Sequence, residues 1–504
     1  MTEISQARED KIPASQRQGR RRTKIIGLFI VFLGSAWLIA FLFFPETYQR
    51  TSVPVGPGLI SSLDIYVGLL FFYLFFILIL FSRRLEYRIR KYSWILLLSF
   101  CWLSLLGLLL GNPPKDIFAD WKRIWGLFAG VALAILLQKT RFEPARIASV
   151  VFGLIPLLLC SVATMTGLGL IDSEGQLGSL GLYVTTQVWA PWLPIILCRS
   201  VMRQSNRLVL PLALLGVLLV VPAQGARAVA LSVVVSMVGF ICWWLANRGL
   251  KPQEFTEINE TFSGSVMISK TSKRRTLSPG APQFNKTVKL EEEKRRQWFQ
   301  RFFLTVLVTL LACLALATLL SSPRYSSFIR HFFSRLSKED TIAAENINIR
   351  FKELQEMVGS MNAANFFLGK GLGGTYYFSV ADELWVRSGL YTTSSLPAPH
   401  ILIATLMLKG GLPFFIAGGI LFPMAAGWAF VSGILYRKKR YLLTLAPYDV
   451  AILAAFALLY TSCIYDAMPL LSISLVISLR LIAGSQAESN AGRLRAKQPA
   501  EGAR

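Results

Sequence analysis

Leu63-Asp64-Ile65-Tyr66-Val67-Gly68-Leu69-Leu70-Phe71-Phe72-Tyr73-Leu74-Phe75-Phe76-Ile77-Leu78-Ile79-Leu80-Phe81, followed by Ser82-Arg83-Arg84, is the stretch that decides the fold. It carries one charge, at its start, and ends on arginines. A helix of this length, rising ~1.5 Å per residue, crosses a hydrocarbon core of ~30 Å. Blocks of the same kind, roughly 17 to 25 residues long, recur along the chain about twelve times. Of the 504 residues 54% are hydrophobic and only 16% charged, which excludes an ordinary soluble domain. The expected fold class is an all-α integral membrane protein of about twelve spans.

The net charge of +25 invites a nucleic-acid reading. Position argues against it. Lys and Arg gather in alternate connections, as the positive-inside rule predicts for cytoplasmic loops. The six cysteines, Cys101, Cys160, Cys198, Cys242, Cys313 and Cys463, all fall in or at the ends of apolar blocks and form no metal-ligand spacing. No metal is expected. Near the N-terminus, Arg17, Arg20, Arg21, Arg22 and Lys24 precede an apolar run from Ile25 to Phe44. That run is long for a cleaved signal and lacks a small-residue cleavage site, so it reads as the first span.

The chain then divides as follows. Residues 1–24 read as a basic cytoplasmic tail, 25–246 as spans 1–8, and 247–301 as a disordered basic cytoplasmic loop. Residues 302–321 read as span 9 and 322–399 as one large outer loop. Residues 400–484 hold a re-entrant or surface helix (about 400–409), a break at Gly410-Gly411 and Pro413, and spans 10–12. Residues 485–504 form a second cytoplasmic tail.

Candidate functional residues cluster on the outer side. Arg227 stands at the outer start of span 8, after Pro222-Ala223-Gln224-Gly225. It suits either snorkelling to lipid headgroups or anion binding beside helix N-terminal amides. Lys122 and Arg123 repeat that placement at the start of span 4, beside Trp121 and Trp125, with the same two readings. Arg350 opens a helical pattern of Leu354, Met357, Val358 and Met361 and falls on its apolar stripe, pointing to a ligand or to a salt bridge with Glu353 or Glu356. The run Gly369-Lys370-Gly371-Leu372-Gly373-Gly374 lacks the spacing and ending of a nucleotide-binding P-loop, so turn formation and close backbone approach are expected of it. Of the two histidines, His331 lies among Phe328, Phe332 and Phe333 as an interfacial anchor. His400, in Pro397-Ala398-Pro399-His400 before an apolar run, suits general acid–base work.

These stretches resemble the O-antigen ligase and O-antigen polymerase superfamily of bacterial membrane glycosyltransferases. Gly225-Ala226-Arg227-Ala228-Val229-Ala230-Leu231 resembles the start of a helix in that family. Arg350 through Phe366-Phe367-Leu368-Gly369-Lys370-Gly371-Leu372-Gly373 resembles its Arg…Gly-x-Gly-x-Gly segment. His400, followed eleven residues later by Gly411, resembles the ligase histidine-to-glycine pattern. Ile401 stands where that pattern carries a polar residue, and Phe414 where a second glycine is common.

The resemblance implies a GT-C-like membrane fold, with residues 322–399 as a periplasmic loop between spans 9 and 10 and both termini cytoplasmic, in the bacterial inner membrane. It implies transfer of a glycan from undecaprenyl diphosphate to an acceptor hydroxyl, as on lipid A-core in lipopolysaccharide assembly, with no metal, nucleotide or other cofactor. Arg227 and Arg350 would neutralise the diphosphate and His400 would orient or deprotonate the acceptor. Lys122, Arg123, Gly369, Gly371 and Gly411 would line the substrate. A polymerase of the same superfamily shares these residues. A polytopic transporter or flippase is the alternative of a different class. It calls for ionisable residues near mid-membrane on several helices, whereas Asp64 and Arg480 lie near span ends.

Overall fold

The computed structural model describes residues 53–55, 58–60, 62–139, 190–201, 227–248, 341–379, 395–396, 398–399, 401–461 and 467–497. Expected spans 1, 5, 7 and 9 lie outside these residues. The described chain is helical apart from two short antiparallel ladders. One pairs β1 (Val53–Val55) with β2 (Gly58–Ile60); the other pairs β3 (Tyr376–Tyr377) with β4 (Ser395–Leu396).

Three described stretches are long and apolar enough to cross a membrane: Asp64–Phe81, Tyr87–Leu109 and Leu402–Leu435. The first lies in α1 (Ser62–Phe81). Val67, Leu70, Leu74 and Leu78 of α1 are buried at helical spacing, while Ile65, Leu69, Phe72 and Phe76 are equally apolar and exposed. An apolar outer face of this kind suits hydrocarbon rather than water. The second is α2 (Tyr87–Leu109), started by Glu86, whose carboxylate accepts from the amides of Arg88 and Ile89 at 3.1 and 3.0 Å. After the turn at Gly111, α3 (Pro114–Lys139) begins with proline in its first turn, several residues earlier than expected for span 4.

The described bundle also contains α4 (Leu193–Val201), α5 (Arg227–Asn247), α9 (Phe422–Leu435), α10 (Lys439–Thr444), α11 (Ala446–Thr461) and α12 (Ala467–Lys497). Here α3 packs along α12 and α1, and α11 packs along α5 and α9. Hydrogen bonds between helices supplement the apolar contacts. Ser232 donates to the Ala454 carbonyl at 2.7 Å, Trp243 Nε1 to the Leu442 carbonyl at 2.6 Å, and Trp192 Nε1 to Ser472 Oγ at 2.9 Å. Arg480 of α12 pairs with Asp449 of α11 at 2.7 Å, and Tyr441 donates to the same carboxylate. Burial and that carboxylate push the Tyr441 phenol well above its usual range.

The polar segment before Leu402 contributes α6 (Thr341–Gly359) and α7 (Ala363–Leu368). The third apolar stretch is not one straight rod. It starts as α8 (Leu402–Phe414), but Gly411 inside it has φ 67° and ψ −164°, and a π-helical turn, Phe415–Leu421, follows before α9. Ile403 and Leu406 close on Gly419 and Gly418, so the first part of α8 folds back along that π turn.

Gly371 is fitted to its place more tightly than any side chain allows. Its φ is 68°, and a Cβ there would run into the backbone of Gly107 in α2. Gly111 has a similar φ of 71° with open space around it. Gly111→Ala should therefore cost about 1 kcal/mol, for conformation alone. Gly371→Ala should cost at least about 3 kcal/mol, strain and overlap together. Thermal unfolding of the detergent-solubilised variants checks the difference, and equal losses would contradict the close approach.

Candidate functional site

The site is built where a helix breaks. In α8 the carbonyl of Lys409 would normally accept from residue 413, but Pro413 has no N–H. The backbone also leaves helical geometry at Gly411, before residue 412 can serve Leu408. Both carbonyls are taken up from another segment. The Lys370 amide donates to Leu408 O at 2.7 Å and the Gly371 amide to Lys409 O at 3.0 Å. The glycine run thus caps, from elsewhere in the chain, a helix that cannot cap itself.

The remaining amides of the run are also committed. Gly369 N donates to Asn365 O at 2.8 Å, Leu372 N to Leu103 O at 3.0 Å, and Gly374 N to Gly371 O at 3.3 Å. Gly373 N donates to Asp120 Oδ2 at 2.7 Å. In the other direction, Asn112 Nδ2 donates to the carbonyls of Lys370 and Leu372 at 2.7 and 2.8 Å. Gly369, Gly371 and Gly411 all have positive φ. A Cβ on Gly369 would strike the Lys409 carbonyl, and one on Gly411 that of Phe367. These expected substrate-lining glycines hold segments together, and the amides of the run have partners within the protein.

Asp120 is the centre of this junction. It is buried on α3, and Lys409 Nζ, also buried, donates to its Oδ2 at 2.6 Å; the side chains are 1% and 5% exposed. Lys409 donates further to Gly374 O at 2.7 Å, and Arg123 Nη1 lies 3.5 Å from Asp120 Oδ1. Two residues on from Asp120, Lys122 Nζ reaches Asp64 of α1 at 3.3 Å. Lys122 and Arg123 are therefore in this assembly, each beside a carboxylate. Around this junction Lys115, Lys122, Arg123, Lys370 and Lys409 stand with Asp64, Asp116 and Asp120, and α6, which joins them, adds Arg350 and Lys352 against Glu345, Glu353 and Glu356, so the two signs nearly balance.

The helix bearing Arg350 is attached to the same junction. Met357 of α6, Tyr376, Phe378, Leu396, and Ala404 and Leu408 of α8 form one buried cluster, with Leu354, Met361 and Ile401 packed against it. Val358, expected on this stripe, is exposed instead. Glu353 takes a place on the inner face, buried, with the Tyr376 hydroxyl donating to it. Glu356 accepts from the amide and hydroxyl of Ser379. Arg350 is half-buried.

His400 lies outside the described residues, as does the side chain of Arg227. Their neighbours are informative. Gly239 against Val450 and Ser232 against Ala454 make α5 and α11 antiparallel, so the start of α5 at Arg227 is level with the last turn of α11. In that turn Tyr460 donates to Gly419 O, and Gly419 closes on Ile403 near the start of α8. The start of α5, the start of α8 and the glycine junction therefore share one end of the bundle. Among the described residues no group of three His, Cys, Asp or Glu could hold a metal ion.

Asp120–Lys409 was absent from the sequence expectations, although two signals pointed to it. Lys409 is the one charged residue from Ile401 to Tyr436, and an ionisable residue in an apolar run needs a partner. Pro413 four positions later announces the unmatched carbonyl. Comparison with protein-family models, curated proteins and solved structures gives no match.

Lys370 adds a titratable group outside the membrane spans. Its Nζ donates to Ser360 Oγ at 3.2 Å and Thr375 O at 3.0 Å, and burial pulls its ammonium below the usual lysine range. The unfolded chain therefore holds this proton more tightly. The group weighs against the folded state below its folded pKa and ceases to do so as pH rises through the unfolded value. A titration of the dimethylated lysines followed by NMR should give Lys370 a midpoint below those of exposed lysines; a midpoint among theirs would show a fully hydrated ammonium.

Proposed function

We propose that this chain is a metal-independent membrane glycosyltransferase of the O-antigen ligase type. It moves a glycan from undecaprenyl diphosphate to an acceptor hydroxyl at the periplasmic face of the inner membrane. The observation that carries this reading is that one end of the bundle collects the helix starting at Arg227, the helix bearing Arg350 and the helix starting just past His400. These three elements hold the motifs that resemble the family, and they lie far apart in sequence. Lys122 and Arg123, in the same assembly, add cations suited to a diphosphate.

In the reaction the acceptor oxygen attacks the anomeric carbon, and the bond from that carbon to the diphosphate oxygen breaks. The acceptor proton passes to His400, and the carrier leaves as undecaprenyl diphosphate. The guanidinium groups of Arg227 and Arg350 stabilise the charge developing on the leaving oxygen. The carrier's polyprenyl tail stays among apolar helices, which requires the reacting atoms to lie at the membrane surface. The ligase and polymerase versions of this chemistry differ in the acceptor. The histidine-to-glycine spacing from His400 to Gly411 favours the ligase.

His400→Ala should abolish glycan transfer while the protein still inserts in the membrane at wild-type level; transfer at the wild-type rate would sink the assignment. Arg227→Lys should lower the rate on the order of 10²-fold, because a point charge does not replace a bidentate guanidinium. Full activity of that variant would make Arg227 a headgroup anchor. In cells, loss of a ligase leaves long polymer on the carrier lipid, loss of a polymerase leaves single repeat units, and an unchanged glycan redirects attention to transport.

A further inference from the structure

We infer that Asp120 and Lys409 are positioning residues for the transfer, fixing α8 and thereby the segment that carries His400. The inference rests on the glycosyltransferase reading above. From Leu402 to the break at Gly411 the regular part of α8 is only a few turns long, too short to hold its orientation by helix formation alone. Its N-cap residue, Ile401, makes no side-chain capping bond. At that end Thr405 Oγ1 makes a long polar contact to the Pro399 carbonyl, at 3.4 Å. The shorter polar restraints lie at the other end: the amides of Lys370 and Gly371 on its last carbonyls, and Lys409 on Asp120 and Gly374.

This arrangement fixes more than one degree of freedom. The capping amides set how far α8 advances along its axis. The bond from Lys409 to Asp120, on a different helix, sets its rotation about that axis. Asp120 also accepts from Gly373, so the same carboxylate fixes the capping loop. Shift or rotation at Lys409 is transmitted through a rigid helix to Ile401, and so to the neighbour of His400. Neither Asp120 nor Lys409 is placed to touch the reacting atoms in this scheme. Their effect is on turnover after the donor is bound.

The test uses the full-length protein in nanodiscs, with undecaprenyl-diphosphate-linked glycan extracted from the expressing membranes as donor and release of undecaprenyl diphosphate as readout. Lys409→Met and Asp120→Asn each leave one buried charge without its partner and should destabilise the protein. The double variant removes both charges and keeps an oxygen for the Gly373 amide. It should unfold within about 5 °C of wild type, with a donor KM within about threefold. Its kcat should fall about 10- to 100-fold, as expected for small misplacements in an active site. A wild-type kcat in the folded double variant would overturn the inference, as would a loss wholly in KM.

A second readout does not depend on transfer. External protease should cleave residues 350–399 of Lys409→Met, in protein that is still inserted, about tenfold faster than in wild type; equal rates would show that the pair does not hold this segment and would overturn the inference. A wild-type protein that releases no carrier diphosphate, yet shows the protease difference, would overturn the transfer reading and leave the clamp standing.

Discussion

Asp120 and Lys409 are nearly sealed from solvent, and a buried charge is tolerated only with a close opposite charge and hydrogen bonds to its remaining sites. Both conditions are met. The ammonium reaches a carboxylate and a carbonyl; the carboxylate accepts that ammonium and a backbone amide, with a guanidinium near its other oxygen. The partners come from α3, α8 and the glycine run, so the requirement to neutralise two charges fixes three segments at once. No apolar contact has that directionality.

Around this point the molecule divides into two kinds of surface chemistry. The helices present leucine and phenylalanine both to one another and outward, so water cannot drive their association within hydrocarbon. Association then depends on close fit and on polar contacts. The pairs Asp64–Lys122 and Asp449–Arg480 tie α1 to α3 and α11 to α12, while serine and tryptophan donors reach carbonyls and hydroxyls across the bundle. Among the described residues, Asp64, Lys122, Asp449 and Arg480 are engaged in these pairs. Their geometry is that of struts.

The sequence revealed the apolar helices because composition and length are local properties: Leu63–Phe81 needs no neighbour to be read. The break at Gly411 was legible for the same reason, since Gly410, Gly411 and Pro413 are adjacent. The start of α3 was read too late because Lys115 and Asp116 interrupt hydropathy without interrupting a helix. The site was legible only in part. Arg350, Lys122 and Arg123 stand out as charges beside apolar runs, but a cross-chain bond between residues 120 and 409 leaves no spacing rule to detect. Periodicity places Val358 on the buried stripe because it does not distinguish leucine, methionine and valine. The buried carboxylate of Glu353 beside Tyr376 shows which face was inward.

The glycine run resolves a more general ambiguity. Glycines in such numbers beside cations suggest a cradle for phosphate, because free amides bind anions. Here each amide from Gly369 to Gly374 has a protein acceptor, and two of those acceptors are carbonyls that the broken helix could not serve. If the run bound phosphate through those amides, Leu408 and Lys409 would be left with buried carbonyls lacking these bonds. An anion at this end would therefore meet side chains such as Lys122 and Arg123 rather than the amides of the run. The glycines act earlier, by letting the backbones of α2, α8 and their own run approach more closely than any side chain would allow.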